Sequence, residues 1–87
     1  MPMVSVIIPV FRAKSTLERA LLSVKAQGWP EKDIEIVLSI DDGENYNWAK
    51  KYGSHIKLCY GLAPATGAGP ARNRGILAAS GQFLAFL

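Results

Sequence analysis

The sequence predicts an α/β fold of the three-layer, Rossmann-like kind: a mostly parallel sheet of about four strands in βαβαβαβ order, with helices on both faces. Three observations lead there. Residues 4–10 and 34–40 are apolar almost throughout and rich in β-branched side chains, as strands covered on both faces are. The segments 14–28 and 70–81 carry apolar residues at helical spacing. Strand and helix alternate along the chain, the order that crossover connections between parallel strands impose. At 87 residues the chain is one segment, 1–87, able to build a single thin core that hides about 60 to 65% of the unfolded surface.

Val4 to Val10 is the first strand, and Pro9, with no N–H to give a ladder, marks where pairing stops. Ser15 followed by Glu18 has the form of a capping box. Leu17, Ala20, Leu21 and Val24 follow at helical spacing, and Gly28 is the expected stop. Ile34 to Ile40 is a second buried strand that runs straight into Asp41-Asp42-Gly43. Asn45 to Tyr52 reads as a short helix ending at Gly53, His55 to Tyr60 as a third strand, and Gly61 to Gly69 as a loop of small residues. Pro70 suits the first position of a helix, which Ala71, Ile76, Leu77, Ala78 and Ala79 continue to Gly81. Gln82 to Leu87 opens a fourth strand that is still apolar at the last residue; a central strand would carry active-site residues at its carboxyl end, so truncation from a longer domain is expected.

Composition narrows the function. Hydrophobic residues make up 49% and charged residues 20%, a globular rather than disordered balance. The net charge of +3 comes from cations scattered along the chain, with only Lys50-Lys51 adjacent. That pattern argues against nucleic acid as a partner, which calls for a basic stripe with interleaved aromatics. Cys59 is the single cysteine, which excludes an intramolecular disulfide or a cysteine zinc site and fits a cytoplasmic setting. Met1-Pro2-Met3 lacks the basic start of a signal peptide, and the apolar run Val4 to Phe11 is far short of the ~20 residues that a membrane span needs.

The acid pair is the chief candidate site, because open α/β sheets hold ligands at the carboxyl ends of their strands. An acid there can bond a sugar hydroxyl or a base N–H, hold a metal, or cap the next helix. On extended backbone Asp41 and Asp42 point to opposite sides, so one of them faces a ligand, and Asp42 or Asn45 is a helix-cap candidate. The loop Pro9-Val10-Phe11-Arg12-Ala13-Lys14 offers an aromatic and two cations but no glycine, and so no phosphate cradle. Phe11 stacks on a base or packs on the following helix; Arg12 meets phosphate, pairs with Asp41 or Asp42, or stays solvated. Gly67-Ala68-Gly69-Pro70-Ala71-Arg72 fails the dinucleotide fingerprint at its last position, and no P-loop is present. Arg72 and Arg74 lie in the first turn of a helix, where cations oppose the helix dipole, so one of them answers to something negative: a phosphate, or the acid pair. Trp29, Tyr46, Trp48 and Tyr52 read as cover for the core, Cys59 as a buried inert thiol.

Taken together, three stretches resemble the family 2 glycosyltransferases of the GT-A fold. They are Val4-Ser5-Val6-Ile7-Ile8-Pro9-Val10-Phe11, the segment from Asp33 to Asp41-Asp42-Gly43, and Gly69-Pro70-Ala71-Arg72-Asn73-Arg74-Gly75-Ile76 with Ser80 to Leu87. The resemblance implies transfer of a sugar from a nucleotide-sugar, expected to be a UDP-sugar, to an acceptor hydroxyl. It implies that Pro9, Val10, Phe11 and Arg12 line the nucleotide pocket, that Asp42 with Asp41 beside it recognises the uracil or ribose edge, and that Arg72 and Asn73 lie beneath the nucleotide near the diphosphate. Mg or Mn is the implied cofactor. Its acidic motif and the general base would follow Leu87, so residues 1–87 are expected to bind nucleotide, hold no metal and transfer nothing alone, with the full-length protein cytoplasmic or at the inner face of the membrane. Phe11-Arg12 and Glu44-Asn45 depart from the family's Tyr-Asn and Ser-Thr, and Ala63-Pro64-Ala65-Thr66 has no assignable role. The rival reading is a non-catalytic nucleotide-binding or interaction module of the same fold that self-associates through its C-terminal strand, since an apolar edge invites pairing. A receiver-like domain lacks the acids it needs after the first strand.

Overall fold

The computed structural model describes residues 2–61 and 67–86. Four strands, β1 (Val4–Val10), β2 (Ile34–Ile40), β3 (Ile56–Tyr60) and β4 (Phe83–Phe86), form one sheet in the order β3-β2-β1-β4. All pairings are parallel, with Val4 opposite Ile34 and Phe83, and Ile36 opposite Ile56. Helix α1 (Lys14–Lys25) crosses between β1 and β2, a 3-10 helix (Asn47–Tyr52) lies between β2 and β3, and α2 (Ala68–Ala78) precedes β4. This is the expected α/β architecture with helices on both faces.

Strand alternation gives the two faces different chemistry. Val6, Ile8 and Val10 of β1 and Ile34, Ile36, Leu38 and Ile40 of β2 pack with Leu17, Leu21 and Val24 of α1 and with Tyr46 and Ala49, forming the main apolar core. The residues between them, Ser5, Ile7, Glu35, Val37, Ser39 and Asp41, are also buried but face α2. There Gly75 lies so close that a Cβ on it would sit 2.5 Å from Cγ2 of Ile7, and only glycine permits that approach.

Several boundaries differ from the sequence reading. Helix α1 starts earlier than the Ser15–Glu18 capping box implied: Ala13 is the N-cap, with no side-chain cap, and the Glu18 carboxylate instead accepts a hydrogen bond from the Tyr52 hydroxyl. The segment after the acids is a 3-10 helix starting at Asn47, whose N–H is held by the Asn45 side chain at 2.8 Å. Helix α2 begins at Ala68 and ends at Ala78. Pro70 therefore sits third in the first turn, where an N–H is still not required, and Gly81 lies beyond the helix, against Ser5. Strand β4 stands at an edge of the described sheet with all four residues exposed. Trp29 is 41% exposed because it lies past the α1 terminus, so it does not cover the core as Tyr46, Trp48 and Tyr52 do. Cys59 is only half-buried, being on edge strand β3. Most of the small-residue loop expected between Gly61 and Gly69 falls on residues 62–66, outside the described residues, as does Leu87.

Candidate functional site

The carboxyl ends of β1 and β2 open beside the first turn of α2. Pro9, Val10, Phe11, Ala13, Asp41, Gly67 and Ala71 line a cleft there of about 300 Å³. Among the described residues its lining side chains are apolar apart from one carboxylate. Asp41 continues the α2 face of β2, after Glu35, Val37 and Ser39, so its side chain turns under α2 and is only 4% exposed. One of its oxygens accepts the Gly67 N–H at 2.8 Å, and the Arg74 guanidinium lies 3.5 Å from the other. Arg74 also donates to Ser39 Oγ at 3.3 Å and to the Ile40 carbonyl at 3.4 Å. The negative group that answers the cations of α2 is thus Asp41, and the arginine is Arg74. Arg72 and Asn73 are exposed on the helix and do not line the cleft.

Asp42 points the other way. Its Oδ2 accepts the Arg12 N–H at 2.6 Å and the Tyr46 hydroxyl at 2.6 Å, while Oδ1 accepts the Glu44 N–H at 2.9 Å. Burial pushes this carboxyl up, but the Tyr46 hydroxyl and the two amides outweigh it and hold Asp42 below its ordinary value. Burial and the same carboxylate push the Tyr46 hydroxyl up to about 12. Tyr46, fully buried, also accepts the Ala13 N–H at 3.3 Å. Sequence reasoning took Tyr46 only as core cover, and it passed over Arg74 once the resemblance favoured Arg72 and Asn73. The spacing carried the signal for Arg74: it falls three residues after Ala71 and beside Gly75, the residues that face the sheet.

A larger hollow, about 520 Å³, lies at the opposite edge of the sheet and includes Glu31, Glu35, His55, Lys57 and Ser80. Four of its charged or titratable side chains pair with one another. Glu35 pairs with Lys57 at 2.8 Å and His55 with Glu31 at 2.7 Å. Among the described residues no three His, Cys, Asp or Glu side chains come together as a cation would need, so the Mg or Mn implied by the resemblance finds no donor set here. No helix among them is long and apolar enough to cross a membrane.

A parallel open sheet with a ligand-sized cleft at the carboxyl ends of its central strands defines a Rossmann-like α/β binding domain. Residues 5–87 match the family described as Glycosyl transferase family 2, and the chain belongs to that family. It is 37% identical over 90 residues to an uncharacterized glycosyltransferase of Rickettsia felis, covering 99% of this chain and 14% of that protein. It is 33% identical over 92 residues to the GalNAc(5)-diNAcBac-PP-undecaprenol beta-1,3-glucosyltransferase of Campylobacter jejuni, covering 100% of this chain and 29% of that one. The crystal structure of S. aureus TarS 1-349 superposes with a TM-score of 0.86 at 25% identity, over 98% of this chain and 26% of TarS. The chain therefore spans less than a third of the length of these proteins.

Proposed function

We propose that residues 1–87 form the donor-nucleotide pocket of a glycosyltransferase that moves a sugar from a UDP-sugar to an acceptor hydroxyl. The observation that carries this reading is the cleft itself, with apolar walls, Phe11 at its mouth and a single buried carboxylate, Asp41. Such a site takes a flat group with two apolar faces and an N–H or O–H donor at its edge. A uracil ring or a ribose hydroxyl fits that description. A phosphate does not fit beside Asp41, because two anions in a partly dehydrated site repel; the diphosphate would lie outward, towards Arg12, Arg72 and Asn73. Asp41, more than Asp42, is the acid placed to meet the nucleoside.

Titrating the chain with UDP while following backbone amides by NMR tests this. Shifts concentrated at residues 9–12, 41 and 71, and an affinity that drops at least roughly tenfold in both Phe11→Ala and Asp41→Asn, are the expected result. Shifts confined to the Glu31–Lys57 hollow would overturn it. A second reading, an interaction module that self-associates, draws on the exposure of Leu77, Phe83, Leu84 and Phe86. Sedimentation decides that point: a concentration-independent dimer favours the module, a monomer the donor pocket alone.

A further inference from the structure

Gly61 and Gly67 are both tied to the end of β2. The Gly61 N–H donates to the Ile40 carbonyl at 2.9 Å, and the Gly67 N–H to an Asp41 oxygen at 2.8 Å. Arg74 reaches the same two residues from α2, with Ser39 Oγ as a further acceptor. It does so across the end of β3. A Cβ on Gly61 would lie 2.5 Å from Cζ of Arg74 and from one of its terminal nitrogens, so the guanidinium occupies the space in which a side chain at position 61 would begin. Gly61 is not among the glycines with positive φ; position 61 demands room rather than a left-handed backbone. In the strand order β3-β2-β1-β4, Arg74 meets Asp41 from the β3 side, whereas the cleft opens on the β1 side, where Pro9, Val10 and Phe11 line it.

We infer that Arg74 is a positioning residue for the nucleoside, seated by Gly61: from behind the cleft it holds the Asp41 carboxylate, and through that carboxylate the Gly67 wall. This rests on the donor-pocket reading above. The Asp41 side chain is only 4% exposed, so removing or displacing its cation leaves a buried charge that must reorient. Gly61→Ala displaces the cation without removing it, because the collision falls on the far end of a flexible side chain. A guanidinium that met the diphosphate would act differently, since that role needs phosphate on the ligand and the positioning role does not.

Uridine and UDP affinities are measured by NMR titration for the unsubstituted chain, Gly61→Ala, Arg74→Ala and the double variant. Each single substitution weakens uridine and UDP alike by roughly tenfold, and Gly61→Ala costs less than about twofold more in the Arg74→Ala background, where no guanidinium is left to displace. A loss seen with UDP and not with uridine means that Arg74 meets phosphate, and overturns the inference. An equal Gly61→Ala penalty in both backgrounds overturns it too. Hydrogen exchange of the free chain adds a readout that general destabilisation does not reproduce. In Gly61→Ala it speeds at the Gly67 amide and keeps its rate at the Ile36 amide, which is bonded to the His55 carbonyl in the sheet; unchanged exchange at Gly67 with weakened binding overturns the inference. Gly61→Ala carries these outcomes by itself where Arg74→Ala does not fold. Failure of the unsubstituted chain to bind either ligand defeats the donor-pocket reading, and this inference with it, whereas a loss confined to UDP defeats this inference alone.

Discussion

On the α1 face of the sheet, Ile8, Leu38 and Ile40 meet Leu17, Leu21 and Tyr46 in a dry layer, whereas the α2 face has only Ile7 and Val37 at its centre and polar groups at both ends. At one end Glu35 takes Lys57 at 2.8 Å, the Ser5 hydroxyl at 2.7 Å and the Ser80 N–H at 2.9 Å, while Lys57 reaches the last turn of α2 through the Ala78 carbonyl. At the other end Asp41 and Arg74 hold its first turn. The dry face sets stability, since apolar burial is the dominant favourable contribution in a small domain. The polar face sets position. It fixes α2 at two ends, and so fixes the cleft wall formed by Gly67 and Ala71. Directional bonds define a register that non-directional packing leaves free to slide.

If the division is right, the heaviest loss comes from the dry face. Leu38→Ala, at a side chain with no exposure, should cost about 3 kcal/mol or more in urea unfolding; a cost under 1 kcal/mol would erase the distinction between faces. Next comes acid. Burial raises the Glu35 carboxyl, but Lys57, Ser5 and Ser80 together bring it from 4.5 down to about 2. Its contribution is therefore complete above about pH 4.5 and disappears as pH falls towards 2. It amounts to about 2–3 kcal/mol, and Glu35→Gln should flatten that limb of the pH–stability curve.

Gly75→Ala tests the centre of the α2 face more gently. The contact with Ile7 costs about 1–3 kcal/mol, while alanine returns about 1 kcal/mol of helix propensity, so a net loss near 1 kcal/mol is expected by thermal unfolding. A net gain would mean that α2 can shift on the sheet. The smallest effect belongs to Lys14→Ala. Its pair with Glu44 is long at 3.5 Å and both side chains are 58% exposed, so stability should stay within about 0.5 kcal/mol.

The same asymmetry decides how much could be read in advance. Strands β1 and β2 were legible because every position but Glu35 is apolar or small, and the acids at 41 and 42 were legible as a site because a buried strand surfaces there. Which acid faces the cleft was legible in principle from alternation: Glu35, Ser39 and Asp41 share one side of β2, and the core residues Ile36, Leu38 and Ile40 the other. The resemblance names Asp42, with Asp41 beside it, as the acids of the nucleotide pocket. The start of α1 was not legible, because the N–H of its N-cap, Ala13, is taken by the Tyr46 hydroxyl 33 residues away rather than by a side chain of the first turn, as in a capping box.

The sheet order also says something about when this fold is assembled. Strand β1 meets β2 across a separation of 30 residues, but its other side waits for the segment in which Gly81 bonds Ser5 across 76 residues. Closing so long a loop is slow. During synthesis, which runs at ~5–20 residues per second, the β1 flank that later receives β4 is exposed for several seconds after α1 can dock. A nascent chain of this kind has its most vulnerable ladder at β1, and Gly81, packed where any side chain would collide with the Ser5 backbone at 2.7 Å, is the residue that ends that interval.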